Sequence, residues 1–241
     1  MFHSKKIKIY NMKKESSFFR LVIGLLLTVL IYFTSLIVGN LLHIETDFVP
    51  SSFSTHALML VMSVVLILVM KKQVCYRIAF PKIKQIFKPI LFGFLSAVVI
   101  NIALGVLIAI ISGGAEKHPA MANASVLQFL LFDFILASVA EEFLFRGFLQ
   151  NLLKPLSAKG FKLFCRKISI PVIISALAFA AAHLILIASG VSALFIVRIL
   201  VFTFVLGLIA GYYQEKHDNH AFAIIVHMSG NLMGLISVMI A

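Results

Sequence analysis

Residues 126–153 read VLQFLLFDFILASVAEEFLFRGFLQNLL. The run is apolar and long enough to cross a bilayer, yet it carries Asp133, Glu141, Glu142 and Arg146. An acidic or basic side chain near the centre of a membrane helix costs roughly 2.5–3.5 kcal/mol, whereas each Leu, Ile, Phe or Val returns only about 0.3–0.6. Such residues do not serve insertion. They must face the protein interior or a wet cavity, which points to function. Glu142 and Arg146 stack on one helical face at a spacing of i,i+4 and can pair there. Glu141 projects about 100° away and is left without that partner, which makes it a candidate general base. On these residues alone, the alternative is a structural ion-pair cluster that joins helices.

The rest of the chain has the same character. It is 61% hydrophobic over 241 residues, with a mean hydropathy of +1.08, far above a soluble domain. Apolar runs of spanning length cover about 21–42, 56–70, 89–111, 126–153, 170–188, 191–213 and 221–241. The fold class is all-α: a polytopic transmembrane helix bundle of about seven spans, or eight if a re-entrant or surface helix is added. Its parts are a basic N-terminal arm (1–20), N-terminal transmembrane helices and connectors (21–125) and a core in the last four spans (126–241). The first span is too long, and lacks the small-residue site, for a cleaved signal peptide.

Charge sets the orientation. The formal net charge is +12, concentrated in the arm, in the Lys71–Lys88 connector and in residues 151–169. Positive loops stay inside, so the N-terminus and these loops are expected in the cytoplasm, touching anionic headgroups rather than nucleic acid. The connector reads as amphipathic, partly lying on the membrane surface. Cys75 and Cys165 both fall in these loops, where reduced thiols are expected. Gly207-xxx-Gly211 and Gly230-xxx-Gly234 fit close helix packing. Asn101 reads as bonding a neighbouring helix, Asp133 likewise, Arg198 as snorkelling to headgroups, and His217 and His220 as solvated.

Two later spans hold further polar residues: Phe179-Ala-Ala-Ala-His183 and His227-Met-Ser-Gly-Asn231. At about 1.5 Å per residue, Glu141 lies roughly 14 Å from Gln150, His183 roughly 18 Å from Pro171, and His227 and Asn231 roughly 10–17 Å from His220. All can share one level below the cytoplasmic surface.

Taken in order, Glu141-Glu142-x-x-x-Arg146, Phe179-x-x-x-His183 and His227-x-x-x-Asn231 resemble the three motifs of the CPBP intramembrane proteases. That family comprises CAAX proteases and bacteriocin-processing enzymes, is also called Abi, and includes the eukaryotic type II CAAX prenyl endopeptidase. The resemblance extends to Phe145-Arg146-Gly147 and covers roughly 126–241. No motif position departs from the pattern. The resemblance implies hydrolysis of a peptide bond within or beside the membrane. Glu141 would activate water and His183 would help hold it. His227 and Asn231 would donate to the oxyanion, and Glu142 would fix the site by pairing with Arg146. No cofactor is expected. The alternative is a zinc metalloprotease with Glu141, His183 and His227 as ligands and Glu142 as base, against which stands the absence of a His-Glu-x-x-His helix.

The expected substrate is a membrane-associated peptide or protein tail. The expected location is a bacterial plasma membrane, for which the excess of 16 Lys over 5 Arg argues through codon usage, with the site opening to the cytoplasm. The rival readings are a non-enzymatic immunity or regulatory partner and an ion-coupled transporter.

Overall fold

The computed structural model describes residues 2–42, 44, 46–113, 125–163 and 166–240, with side chains from residue 17 onward. Lys117 and Cys165 lie outside the described residues. The chain is a bundle of long helices: α1 (Phe2–Leu42), α2 (Ser52–Val69), α3 (Ile83–Ser112), α4 (126–150), α5 (Ile170–Ala182), α6 (Ala193–His217) and α7 (Ala221–Met239). Six of these, α1 to α3 and α5 to α7, are long and apolar enough to cross a membrane, α5 with its 3₁₀ extension to Ser189. At 1.5 Å per residue the 18 residues of α2 reach about 27 Å, close to the hydrocarbon thickness.

Side-chain size is distributed for a membrane. On α3, Gly93, Ser96 and Ala97 are buried, while Val99, Ile102, Val106 and Ile110 are exposed. Small residues meet protein and large apolar ones meet lipid, because lipid offers hydrocarbon no reason to hide. At Gly93 the approach is so close that a Cβ would lie 2.5 Å from the Val226 carbonyl of α7.

Helix α4 is the exception. Every side chain from residue 144 to 153 is buried, so its C-terminal half is covered all round, while Val126, Leu127, Leu131 and Ile135 in its first half are exposed. Leu144, Phe148, Leu149, Leu152 and Leu153 pack with Ile31 of α1, Met59 and Ile67 of α2 and Phe179 of α5. Its start is fixed by a capping box: the Gln128 N–H donates to Ser125 Oγ at 3.2 Å and the Ser125 N–H to Gln128 Oε1 at 2.8 Å.

The rod is not a uniform α-helix. Phe129–Ala137 and Phe143–Gln150 are π-helical, flanking one α-helical turn, Ser138–Glu142. Wide turns weaken the regular ladder, and π segments occur mostly at functional sites. Here side chains supply extra donors to the ladder. Ser175 Oγ donates to the Phe145 carbonyl at 2.9 Å, and the Asn151 and Gln214 amides both donate to the Arg146 carbonyl at 3.0 Å.

Several expectations need correction. The basic arm from Phe2 continues into the first span as one helix, the span itself covering Ser17–Leu42. Helix α3 begins earlier, at Ile83, with Pro89 inside it. Pro89 has no N–H to offer the Gln85 carbonyl, so the helix forgoes one backbone bond there. The connector 74–82 is neither helix nor strand and is pinned to the α6–α7 link: Asn219 Oδ1 accepts from the Ala79 N–H at 3.0 Å, Asn219 Nδ2 donates to the Ala79 carbonyl at 2.9 Å, and the His220 N–H donates to the Arg77 carbonyl at 2.9 Å. The basic loop after α4 contains an antiparallel hairpin, β1 (Gly160–Leu163) with β2 (Arg166–Ser169). Asn101 bonds its own helix at the Ala97 carbonyl, 2.9 Å away, not a neighbour.

Candidate active site

The α-helical turn between the two π segments presents Glu141 and Glu142 in different directions, and their surroundings differ accordingly. Glu142 Oε1 accepts from Arg146 Nη1 and from His227 Nδ1, each at 2.8 Å. This triad is sealed, with the Arg146 side chain 0% and the Glu142 side chain 1% exposed. The guanidinium lies over the Phe179 ring, 4.4 Å from its centroid. Its other side abuts Gly207, where a Cβ would come within 2.6 Å of Arg146 Nη2. Gly207 makes room for a buried cation as well as for a neighbouring helix.

Glu141 is the more open carboxylate, 19% exposed. His56 Nε2 of α2 stands 3.7 Å from its Oε1, and His227 Nε2 of α7 stands 3.6 Å from its Oε2. Both separations are longer than a direct hydrogen bond. His183, on the turn where α5 passes into its 3₁₀ extension, lies within electrostatic range of Glu141 and His227, and its Nδ1 bonds the Phe179 carbonyl at 2.9 Å. Phe179 separates the imidazoles edge-on, 4.9 Å from His183 and 5.3 Å from His227.

Asn231 sits one turn beyond His227. Its Nδ2 donates to Ser138 Oγ of α4 at 3.0 Å, which leaves one amide hydrogen uncommitted. The structure thus gathers Glu141, Glu142, Arg146, His183, His227 and Asn231 in one place, drawn from α4, α5 and α7.

A consistent proton arrangement follows from these bonds. His56 Nδ1 faces the Ser52 carbonyl at 2.9 Å, His183 Nδ1 a carbonyl, and His227 Nδ1 a carboxylate. Each Nδ1 must carry hydrogen, so each Nε2 is the nitrogen free to exchange a proton. Among the described residues, no group of three or more His, Cys, Asp or Glu is gathered closely enough to hold a metal ion.

Sequence reasoning missed His56. It is the first residue of an apolar run next to a polar loop, where a histidine is cheap and draws no notice. His220 was misread as solvated. It is 1% exposed, with Nδ1 donating to Gln214 Oε1 at 2.8 Å and its ring against Phe143 and Tyr76. His217 stacks on Phe222 at 4.0 Å.

Residues 123–233 match the family model described as type II CAAX prenyl endopeptidase Rce1-like. The chain carries a CAAX-protease-family domain. All six motif residues of the CAAX-protease domain lie inside the matched stretch, whereas His56 lies outside it. The family is one of membrane proteases, and the apolar helices make this chain an integral membrane protein. Searches of curated proteins and of solved structures find no match.

Proposed function

We propose that the chain is an intramembrane endopeptidase that cuts a peptide bond of a membrane-associated peptide or protein tail, with Glu141 as the base that activates water. The observation that carries this is the contrast between the two carboxylates. Glu142 is neutralised by Arg146 and committed to His227. Glu141 is partly open, with Nε2 atoms at 3.7 and 3.6 Å from its two oxygens.

A water against the open side of the Glu141 carboxylate donates one hydrogen to it and presents its lone pair to the scissile carbonyl. As the carbonyl oxygen becomes anionic, the uncommitted amide hydrogen of Asn231 and a proton on His227 Nε2 stabilise it. Preorganised donors of this kind contribute most to such a step. Glu142 holds the His227 ring in place, and Arg146 holds Glu142. His183 steadies the water from the α5 side. The basic loops support a cytoplasmic N-terminus and a site reached from that side in a bacterial plasma membrane.

The test uses purified protein in nanodiscs with two synthetic peptides, one ending in a farnesylated CAAX tail and one in the same tail without the lipid. Mass spectrometry locates the cut. Wild type cleaves at one bond, and Glu141→Ala loses about 10²–10⁴-fold in rate, the range for a general base. Biological activity retained by Glu141→Ala at equal expression would favour the immunity-partner reading. Stoichiometric zinc, with activity lost on its removal, would replace the metal-free mechanism.

A further inference from the structure

We infer that His56, contributed by α2 from outside the family-matched segment, is the proton-transfer partner of Glu141 and delivers its proton to the departing amine. The inference rests on Glu141 being the base.

The geometry of the His56 ring carries the argument. Its Nδ1 is 2.9 Å from the Ser52 carbonyl one turn earlier in the same helix, so that nitrogen is a fixed N–H donor. Only Nε2 can gain or lose a proton, and it points at Glu141 Oε1 from 3.7 Å. A bare lone pair facing a carboxylate oxygen is repulsive. The arrangement becomes favourable when one proton lies between them, directly or through a water.

His227 meets the other oxygen, but its role is already taken. It is 5% exposed, and its ring is held by Glu142. The side chain of His56 is 18% exposed and has room to face a peptide. Asp133, two turns before Glu141 on α4, lies in electrostatic range of both His56 and Glu141. The turn bearing His56 is clamped as well: at Gly39 of α1 a Cβ would lie 2.5 Å from Thr55 Oγ1.

Hydrolysis requires this transfer. An O–H bond of water breaks, its proton goes to Glu141, and the hydroxyl oxygen bonds the carbonyl carbon. When the C–N bond breaks, the nitrogen takes the proton from His56 Nε2, and Glu141 returns one to His56. One water is added across the bond, giving a carboxyl and an amine, with no change in oxidation state.

The test compares His56→Gln with wild type on the farnesylated peptide and on its analogue with an ester in place of the scissile amide, whose leaving oxygen needs far less proton assistance. His56→Gln is expected to lower kcat on the amide by about 10²-fold or more, the general-acid range, with KM nearly unchanged and a much smaller loss on the ester. Equal losses on both substrates, or none, would overturn the inference. Glu141→Ala on the same pair separates the two readings: it loses both substrates if it is the base, and its survival defeats the base itself.

A second measurement needs no turnover. In ¹⁵N spectra of the histidine side chains, assigned by comparison with His56→Gln, the His56 Nε2 signal is expected to move on Glu141→Gln while Nδ1 stays. An unmoved Nε2 would equally overturn the inference.

Discussion

Two histidines in this chain, one partly exposed and one buried, meet opposite surroundings, and the difference is testable. His56 faces carboxylates, whereas His220, in the link between α6 and α7, faces a side-chain amide and two aromatic rings. Burial pushes the His220 imidazole down to about 4 from 6.5, with Arg146 adding to the effect and Glu142 opposing it. A folded value below the unfolded one means the unfolded chain binds the extra proton between these limits. The stability is therefore complete above pH 6.5 and is lost as pH falls towards 4. The full span is worth about 3 kcal/mol. Thermal unfolding in detergent from pH 7.5 to 4.5 is expected to steepen for wild type relative to His220→Gln. Parallel curves would show that His220 does not titrate on unfolding. At this scale, what the sequence made legible followed cost. Glu141, Glu142 and Arg146 stand out because charge in an apolar run is expensive. His56 and His220 sit beside polar loops, where a histidine costs little, so only packing reveals that they are covered.

Among the elements, α4 and α6 meet through glycine. Gly207 leaves space for Arg146, and Gly211 for Gln150, whose Nε2 donates to the Gly211 carbonyl at 3.0 Å. In Gly207→Ala the new methyl would lie 2.6 Å from Arg146 Nη2 and 3.0 Å from Ala176 Cβ. Overpacking of this kind costs about 1–3 kcal/mol. Gly105→Ala is the control, because its nearest atom is 3.9 Å away, and it is expected to leave the melting temperature unchanged or slightly raised. Equal melting of the two variants would mean that the guanidinium relocates freely. The small-residue spacing is visible in the sequence, but its partner is not, since spacing alone cannot distinguish a helix backbone from a buried cation. The π turns were likewise hidden. The apolar residues of 126–153 are too continuous to display any period, and the side chains that supply their extra donors, Ser175 and Gln214, come from other helices. The hairpin 160–169 escaped notice because its four β1 side chains are all exposed, leaving no buried face to alternate with.

The whole molecule is less divisible than the family match implies. The matched stretch begins at 123, yet its central helix is packed against Ile31, Met59, Ile67 and Val74 from the preceding part. A fragment of residues 123–241 is expected to aggregate in detergent and to lack activity, and co-expression of 1–122 to restore a monodisperse complex. A well-behaved, active fragment would contradict both this packing and the role given to His56. Membrane embedding and the order of the spans were legible because hydrocarbon thickness imposes them on composition. Which helix stands in the middle was not, since lipid-facing and protein-facing runs are equally apolar. The central position of α4 also constrains how a peptide reaches it. With residues 144–153 hidden on all flanks, that half of α4 cannot swing aside without dismantling the bundle, so the proposed base beside it stays still and the peptide must be threaded to it through a seam between outer helices. His56, His183 and Asn231, each only half covered, mark the rim of that seam. Selectivity for one peptide over another then belongs to the inward faces of α2, α5 and α7, and α4 acts as the anvil against which any of them is cut.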